Sequence, residues 1–407
     1  MFALRTRSPD SRARTGTLRL SHGEVATPAF VPLATRGVVK TLVPDEVAGI
    51  GFQMVLGNTF HLLLSPGPEL IARFGGLHRF MRWPRPLITD SGGFQVFSMG
   101  HGGVADEIKG RRRAPGGEHA GGGAILSIDE QGVRFRSYLD GSLRLLSPER
   151  SMEVQAALGS DIALAFDECT PFHVSRRYTE TSMRRTHRWL ERCLSWHAEH
   201  GPPGQRVYGI VQGGVERDLR LESAAAVAAS GCDGIAIGGS LGREQAQMLE
   251  VVGWTTAELE RLAPERPRHL LGIGDIDGLV TGVELGIDTF DCAIPTRLAR
   301  HGVALVPAPA HRWRLDLGRG IWRSSPEVIL DGCACPACAG GFSRAYLHYL
   351  VRRRELTALR LITLHNLHYV ARLMEDLRTA IDRGRLAEVA CALRAGAPPG
   401  EAVSAAG

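Results

Sequence analysis

Two aspartates, Asp90 and Asp291, stand at the carboxyl ends of short apolar runs, where acid–base or nucleophilic chemistry is commonly found. Asp291 lies in a β-prone stretch that stops at Pro295, and proline cannot donate to a sheet ladder, so a strand is predicted to end there. Two carboxylates on one rim could act together at an anomeric carbon. One would attack the carbon and the other would handle the proton of the leaving group, as in retaining glycosyl transfer. The plainer interpretation is that Asp291 caps a turn or balances Arg297, because structural ion pairs outnumber catalytic acids.

A second polar pair, Asp167 and Gln212, has a donor and acceptor pattern suited to a purine base. A carboxylate can accept hydrogen bonds from a ring N–H and an amino group, and a neighbouring amide can donate a hydrogen bond to a carbonyl. This combination is complementary to the Watson–Crick edge of guanine. Phe94, just past Asp90, could stack on such a base, although a single aromatic is more often a core residue.

Three cysteines within six residues, Cys333, Cys335 and Cys338, predict a metal site. Zinc is the ion that such thiolates usually hold, and it takes four ligands. Spacing alone leaves the fourth ligand open among three downstream histidines: His348, His365 and His368. A closed Cys3His site has no position for water, so we interpret it as structural. The other cysteines are scattered, which favours a reducing compartment over a disulfide framework.

Eight short apolar runs alternate with helix-like segments and position these residues. The runs are 29–33, 53–59, 86–91, 162–169, 206–213, 234–239, 269–274 and 289–295. This alternation predicts an α/β fold of the (β/α)8 TIM barrel type, in which strand carboxyl ends converge on one active face. An open doubly wound sheet is the competing layout, but no glycine-rich phosphate motif follows an early strand. The alternating stretch 15–25 predicts an N-terminal hairpin.

We predict three parts along the 407 residues. Residues 1–320 form the catalytic barrel, with a glycine- and arginine-rich insertion at about 100–124 that has no assigned role. Residues 321–394 form a helical zinc-binding subdomain packed on the barrel, and residues 395–407 form a disordered tail.

The formal net charge of +5 permits a nucleic-acid partner. No apolar run approaches the roughly 20 residues of a membrane span and no signal peptide is recognisable, so a cytoplasmic protein is expected.

Several signatures, spread over about residues 15–390, resemble those of the bacterial tRNA-guanine transglycosylases. They are residues 89–95 (TDSGGFQ), 166–169 (FDEC), 211–214 (VQGG), 237–239 (IGG), 290–297 (FDCAIPTR), 343–346 (SRAY) beside the cysteine cluster, and His365 with Asn366. Together they are far more specific than any one motif.

The resemblance implies a pentosyltransferase that exchanges guanine at wobble position 34 of tRNAs with a GUN anticodon, those for Asp, Asn, His and Tyr. The incoming base would be 7-aminomethyl-7-deazaguanine (preQ1), the queuosine precursor, and the exchange would pass through a covalent RNA–enzyme intermediate. The implied partners are the tRNA anticodon loop, a guanine or 7-deazaguanine base, and a second copy of the chain as a homodimer. One structural Zn2+ per chain is the implied cofactor.

Residue by residue, the resemblance makes Asp291 the nucleophile and Asp90 the general acid/base. Asp90 should then have a raised pKa, which two neighbouring acids would produce. The resemblance places the base pocket on Asp167, Gln212, Gly239, Cys169, Ser91, Phe94 and Leu271. It places RNA contacts on Arg297 and Arg300, and metal ligands on Cys333, Cys335, Cys338 and His365, which selects among the three histidines.

The sequence departs from the common family pattern at three places. The loop 238–242 is shorter, Leu271 replaces a frequent methionine, and Gly340 with Gly341 lengthens the spacing before His365 by one residue. Three alternatives remain: a non-catalytic RNA-binding homologue, an archaeal-type D-arm transglycosylase with additional C-terminal domains, and a zinc-containing glycoside hydrolase. The retained acid pair argues against the first, and the guanine-like pocket argues against the third.

Overall fold

Strands and helices alternate along the chain. The computed structural model describes residues 1–95, 125–170, 174–239, 242 and 244–405. The strands in these ranges are β1 (Phe2–Arg7), β2 (Arg14–Leu20), β3 (Gly23–Thr27), β4 (Ala29–Ala34), β5 (Val55–Gly57), β6 (Leu87–Thr89), β7 (Ile125–Asp129), β8 (Gly132–Arg136), β9 (Leu143–Leu146), β10 (Ile162–Leu164), β11 (Arg206–Val211), β12 (Gly234–Ile237), β13 (Arg268–Leu270), β14 (Thr289–Cys292), β15 (Val303–Leu305) and β16 (Arg314–Asp316).

The helices pack around these strands and continue past them. Those in the described ranges are α1 (Pro44–Ile50), α2 (Thr59–Leu64), α3 (Pro68–Arg73), α4 (Leu77–Met81), α5 (Pro148–Leu158), α6 (Arg176–His200), α7 (Arg217–Ala229), α8 (Gln245–Leu262), α9 (Ile276–Glu284), α10 (Ile294–Arg300), α11 (Pro336–Ala339), α12 (Arg344–Arg353), α13 (Leu356–Asp382), α14 (Leu386–Arg394) and α15 (Ala402–Ala405).

The predicted (β/α)8 barrel is confirmed. Among the described strands, β4 to β6 and β10 to β14 form a closed parallel barrel, which β14 completes by pairing with β4. Ser147 caps α5 by accepting from Arg150 N, and Gly159 ends the helix with a φ of 70°. Because all eight strands are parallel, their carboxyl ends open on the same face.

The amino ends of the strands are closed by the N-terminal hairpin, which forms from β2 and β3 as predicted. Leu18 and Val25 join one buried apolar cluster with side chains of the barrel strands. Arg14 donates to both carboxylate oxygens of Asp288, just before β14, at 2.9 and 2.7 Å, and both side chains are fully buried. Strand β1, which the sequence analysis did not predict, pairs with β2.

A three-stranded antiparallel sheet, β7 to β9, lies between β6 and α5 and was not predicted. The turn at 129–132 joins β7 to β8, and Val133 and Phe135 point into the main core. The predicted insertion at 100–124 lies outside the described residues. The chain segment that follows Asp90 therefore contributes an extra sheet, which packs on the barrel.

The C-terminal helices pack on the barrel through α13, which contacts α10, α11 and β15. Asn366 accepts from Leu305 N and donates to the carbonyls of Pro295 and Val303, which joins α13 to the segment after β14. The division at residue 320 stays a prediction.

The tail departs from the predicted disorder, at least as far as residue 403. Ala402 is fully buried, and Gly400 N donates to Asp376 Oδ2 of α13 at 2.7 Å. The alanine- and glycine-rich composition suggested disorder, but small residues also allow close packing on a long helix.

In the ranges that the structure describes, none of the helices combines the length and the apolar character that crossing a bilayer requires.

Candidate active site

Asp90 follows β6 at the carboxyl face of the barrel and is held by several donors. Its Oδ1 accepts from Thr59 N at 2.8 Å and from Gly92 N at 3.3 Å, and its Oδ2 accepts from the amides of Asn58 and Gln95. Burial, together with the charge of Asp291, raises the pKa of Asp90 to about 7 against the lowering effect of these donors. Asp90 can therefore hold or release a proton near neutral pH, as predicted for an acid/base group.

Asp291 lies within β14 and shares this face with Asp90. Its carboxylate is held on one side: Oδ1 lies 3.1 Å from His269 Nε2 and accepts from Gly272 N at 3.3 Å. The residue is 7% exposed, so its surroundings exclude most water. The two acids that the sequence predicted as a pair thus share one face of the barrel, where the charge of Asp291 contributes to the raised pKa of Asp90.

The predicted base-pocket residues Ser91, Asp167 and Gln212 form one buried hydrogen-bonded group. Ser91 Oγ donates to Asp167 Oδ1 at 2.8 Å, and Gln212 Nε2 donates to Asp167 Oδ2 at 2.7 Å. Burial raises the pKa of Asp167 to about 6, against the lowering effect of both donors. Gln212 Oε1 is buried without a hydrogen-bond partner in the described part of the chain. The group thus keeps polar capacity that a planar ligand with donors could use.

The wall beside Gln212 is built from backbone. Gly239 has a φ of 81°, and a Cβ there would lie 2.3 Å from Gln212 Oε1, so a larger residue would push into the pocket. A hydrogen bond joins the Gly239 backbone to the buried Cys169 side chain. Burial raises the pKa of the Cys169 thiol far above its usual range, so the thiol stays neutral. Leu271 packs near Gly238. Ser240, in the shorter loop, lies outside the described residues.

Phe94 is 37% exposed, so it is not a core residue. A partly exposed ring next to Asp90 and Ser91 is available for stacking, which favours the predicted role over the packing alternative.

Four cations follow the neighbouring strands β4 and β14 at this face: Arg36, Lys40, Arg297 and Arg300. Burial lowers the pKa of Lys40, and the charges of Arg300 and Arg36 lower it further. Burial and then Arg297 lower the pKa of Arg300 in the same way. Within the described residues none of the four forms a salt bridge with a carboxylate, so their charges remain available to an anionic ligand.

The three clustered cysteines surround His365. Its Nδ1 lies 3.8 Å from Cys333 Sγ and 3.4 Å from the sulfurs of Cys335 and Cys338, and its Nε2 donates to the Leu305 carbonyl at 2.7 Å. In a tetrahedral site with Zn–S near ~2.3 Å and Zn–N near ~2.0 Å, sulfur and nitrogen ligands lie ~3.5 Å apart. These four residues therefore form a group that fits a metal ion. His348 bonds the Leu317 carbonyl instead.

A second group of possible ligands, His22, His78 and Asp161, lies at the opposite face, just before β10. Both Asp161 oxygens already accept N–H donors: His22 N and Nδ1 at 3.0 and 2.9 Å, and Leu87 N at 2.8 Å. We interpret this group as a tie between the hairpin turn and the barrel, because its carboxylate is satisfied without an ion.

Comparison with known proteins agrees with this geometry. A family model described as queuine tRNA-ribosyltransferase matches residues 10–398. The chain belongs to the queuine tRNA-ribosyltransferase family. A family member from Roseiflexus sp. is 48% identical over 401 residues, covering 95% of this chain and 97% of that protein. Members from Protochlamydia amoebophila and Cereibacter sphaeroides are 44% and 43% identical, over 93% and 98% of this chain and 95% and 98% of theirs.

Membership in the queuine tRNA-ribosyltransferase family confirms the predicted resemblance and the predicted enzyme class, a tRNA-guanine transglycosylase of the pentosyltransferase type. The structure adds polar residues that the sequence analysis did not single out as site residues: Asn58, Arg36, Lys40 and His269. Asn58 and Arg36 follow strands β5 and β4, so the rule that strand ends carry function could have found them. His269 lies inside a strand, and only the pairing of β13 with β14 brings it to Asp291.

Proposed function

We propose that this enzyme exchanges guanine at position 34 of GUN-anticodon tRNAs for 7-aminomethyl-7-deazaguanine. The observation that carries the proposal is the buried group of Ser91, Asp167 and Gln212 at the barrel face that also holds Asp90 and Asp291, with Ser91 next to Asp90 in the chain. Asp167 can accept from guanine N1–H and the 2-amino group. Gln212 Nε2 has two hydrogens, and one remains for the O6 carbonyl after its bond to Asp167.

In the first half-reaction, Asp291 is the nucleophile. One of its carboxylate oxygens forms a bond to ribose C1′, and the C1′–N9 bond breaks. The bonding electron pair passes to the guanine ring, which takes the proton of the neutral Asp90 carboxyl and leaves. The tRNA is then held as an ester of Asp291.

In the second half-reaction, the incoming base returns its N9 proton to the Asp90 carboxylate. Its N9 attacks C1′, the ester bond breaks, and Asp291 regains its negative charge. One N-glycosidic bond replaces another, so the reaction needs no energy cofactor. Two displacements at C1′ preserve the configuration of the ribose.

The pKa of Asp90, about 7, gives this mechanism a pH dependence. Below pH 7 the carboxyl is protonated and can protonate leaving guanine, whereas above pH 7 it is ionised. We expect the single-turnover rate of adduct formation to fall about tenfold per pH unit above 7. Rapid-quench assays on denaturing gels measure this rate. Asp90→Asn should slow adduct formation by about 10²–10⁴-fold and remove the decline with pH; an unchanged wild-type profile in Asp90→Asn would contradict the role.

The cation group around the rim is proposed to bind the tRNA backbone. Lys40→Ala and Arg297→Ala should each weaken tRNA binding and reduce the slope of log affinity against log salt by about 0.7 per lost phosphate contact. Filter binding over a salt series measures both. Arg383→Ala, an exposed arginine at the end of α13, is the matched control and should leave the slope unchanged. Equal slopes for all three variants and the wild type would exclude the rim as the RNA site.

Zinc, a homodimer and a cytoplasmic location belong to the same proposal. The four metal-site residues support zinc because three thiolates and one imidazole form a closed set that this ion favours, and a closed set has a structural role. The dimer follows from the family resemblance, and light scattering should return twice the mass of the chain. A purely monomeric enzyme at micromolar concentration would contradict it.

Base exchange tests the function directly. Purified enzyme is incubated with a GUN-anticodon tRNA and, in parallel, with labelled guanine, 7-aminomethyl-7-deazaguanine or queuine. Incorporation of guanine and of the 7-aminomethyl base is expected. No incorporation of any base would favour a non-catalytic RNA-binding homologue, and incorporation mapped to the D-arm would favour an archaeal-type specificity.

A further inference from the structure

We infer that His269 is a positioning residue that holds Asp291 Oδ1 and so makes Asp291 Oδ2 the atom that attacks the ribose. The inference rests on the proposed function, because it refines the role of the nucleophile. It assigns a part in the reaction to a histidine that lies inside the barrel wall.

His269 is placed by the pairing of two neighbouring strands. It lies on β13 directly opposite Thr289 of β14, and Asp291 is two residues further along β14, on the same face as Thr289. The His269 side chain is fully buried. Its Nε2 lies 3.1 Å from Asp291 Oδ1, and its Nδ1 lies 2.9 Å from Thr289 Oγ1. Both ring nitrogens are therefore engaged by β14.

These two contacts select one tautomer of the His269 imidazole. As a nucleophile the Asp291 carboxylate can only accept a hydrogen bond, so Nε2 must carry the hydrogen. Nδ1 then accepts from the Thr289 hydroxyl, which is free to rotate its hydrogen toward the ring. Thr289 thus fixes the tautomer, and the buried ring cannot turn away without leaving polar atoms unpaired.

The contacts also distinguish the two carboxylate oxygens. Oδ1 receives the His269 and Gly272 N–H groups, whereas Oδ2 accepts no hydrogen bond from any residue that the structure describes. Gly272 has a φ of 76°, a conformation that favours glycine and aims its N–H at the carboxylate.

The attack can be written with this assignment. A lone pair of Oδ2 forms the bond to C1′ as the C1′–N9 pair leaves with the base, which Asp90 protonates. Oδ1 becomes the carbonyl oxygen of the ester and keeps both N–H donors. His269 transfers no proton, so it orients the nucleophile and does not act as a base.

Three substitutions separate this role from a structural one. His269→Phe and His269→Asn remove the donor to Asp291, the first by losing the nitrogen and the second because its amide is too short. His269→Gln places an amide N–H near the position of Nε2. We expect single-turnover adduct formation to slow by about 10²-fold in the first two variants, since small misplacements of reacting groups cost this much.

His269→Gln should recover at least a tenth of the wild-type rate. All three variants should keep the wild-type tRNA Kd within about twofold, because His269 contacts the nucleophile and not the RNA. Thr289→Val, which removes the hydroxyl that fixes the tautomer, should slow adduct formation by roughly three- to tenfold.

Two results would overturn the inference. One is a wild-type rate of adduct formation in His269→Asn or His269→Phe, and the other is a His269→Gln variant that is as slow as His269→Asn and His269→Phe. Asp291→Ala is assayed in parallel. If Asp291→Ala is inactive while His269→Asn and His269→Phe are normal, the inference fails alone. If Asp291→Ala still exchanges base, the proposed nucleophile fails and the inference with it.

Discussion

Replacing Asp291 by alanine should abolish base exchange and the covalent RNA adduct together. The variant lacks the carboxylate that bonds to C1′ in the proposed mechanism, and removal of a nucleophile typically leaves only the small acceleration that binding alone supplies. We expect exchange of labelled guanine into tRNA to fall by at least about 10⁴-fold. The tRNA Kd should change little, because the cation group and the base pocket remain.

Asp275→Ala is the matched control for this variant. Asp275 is also a carboxylate at the same rim, just after β13, but it caps α9 by accepting from Gly278 N at 2.8 Å. Its loss should cost about 1 kcal/mol of stability, as for other N-caps, and leave the adduct in place. Exchange in Asp291→Ala at a rate comparable to Asp275→Ala would show that another residue attacks the ribose.

Replacing Cys335 by serine should release the metal and unfold the segment that it holds. Cys335 is fully buried, and its sulfur lies 3.4 Å from His365 Nδ1. Structural zinc contributes on the order of 10 kcal/mol of binding free energy at neutral pH, so losing one ligand removes a large local contribution. We expect metal content to fall from about one ion per chain to near zero, with cleavage by protease within 330–342 and a lower melting temperature.

Cys391→Ser is the control for the metal variant, because Cys391 is exposed on α14 and is not part of the metal group. It should keep both the metal and the melting temperature. Since α13 carries His365 and Asn366, and Asn366 bonds the Pro295 carbonyl, metal loss should also loosen the segment after Asp291 and reduce exchange. A Cys335→Ser enzyme that is metal-free, protease-resistant and fully active would contradict a structural role for the site.

Much of the site could be predicted because one geometric rule governs it. Parallel strands in a closed barrel end on one face, so Asp90, Asp167, Gln212 and Asp291, each at the end of an apolar run, had to converge. The contacts that these residues make with their neighbours could be predicted less directly. Gly239 was assigned by resemblance, and the structure supplies the physical reason, since a side chain there would meet Gln212.

The features that escaped prediction depend on contacts between distant segments. His269 has the pattern of an ordinary strand residue, and its role follows only from its register against Thr289. The sheet β7 to β9 follows a glycine-rich stretch that masked the alternation of Ile125 to Arg136. The choice of His365 over two nearby histidines needed the family resemblance, because spacing cannot show that its Nδ1 faces three sulfurs.

The covalent attachment site is the most direct test of the account. The enzyme is incubated with tRNA and quenched in denaturant, the RNA and protein are digested, and mass spectrometry locates the residue that carries ribose. A ribosylated peptide containing Asp291, absent in Asp291→Ala and lost on addition of free guanine before quenching, is the expected result. A ribose mapped to Asp90 or to another residue, or no adduct during active exchange, would contradict it.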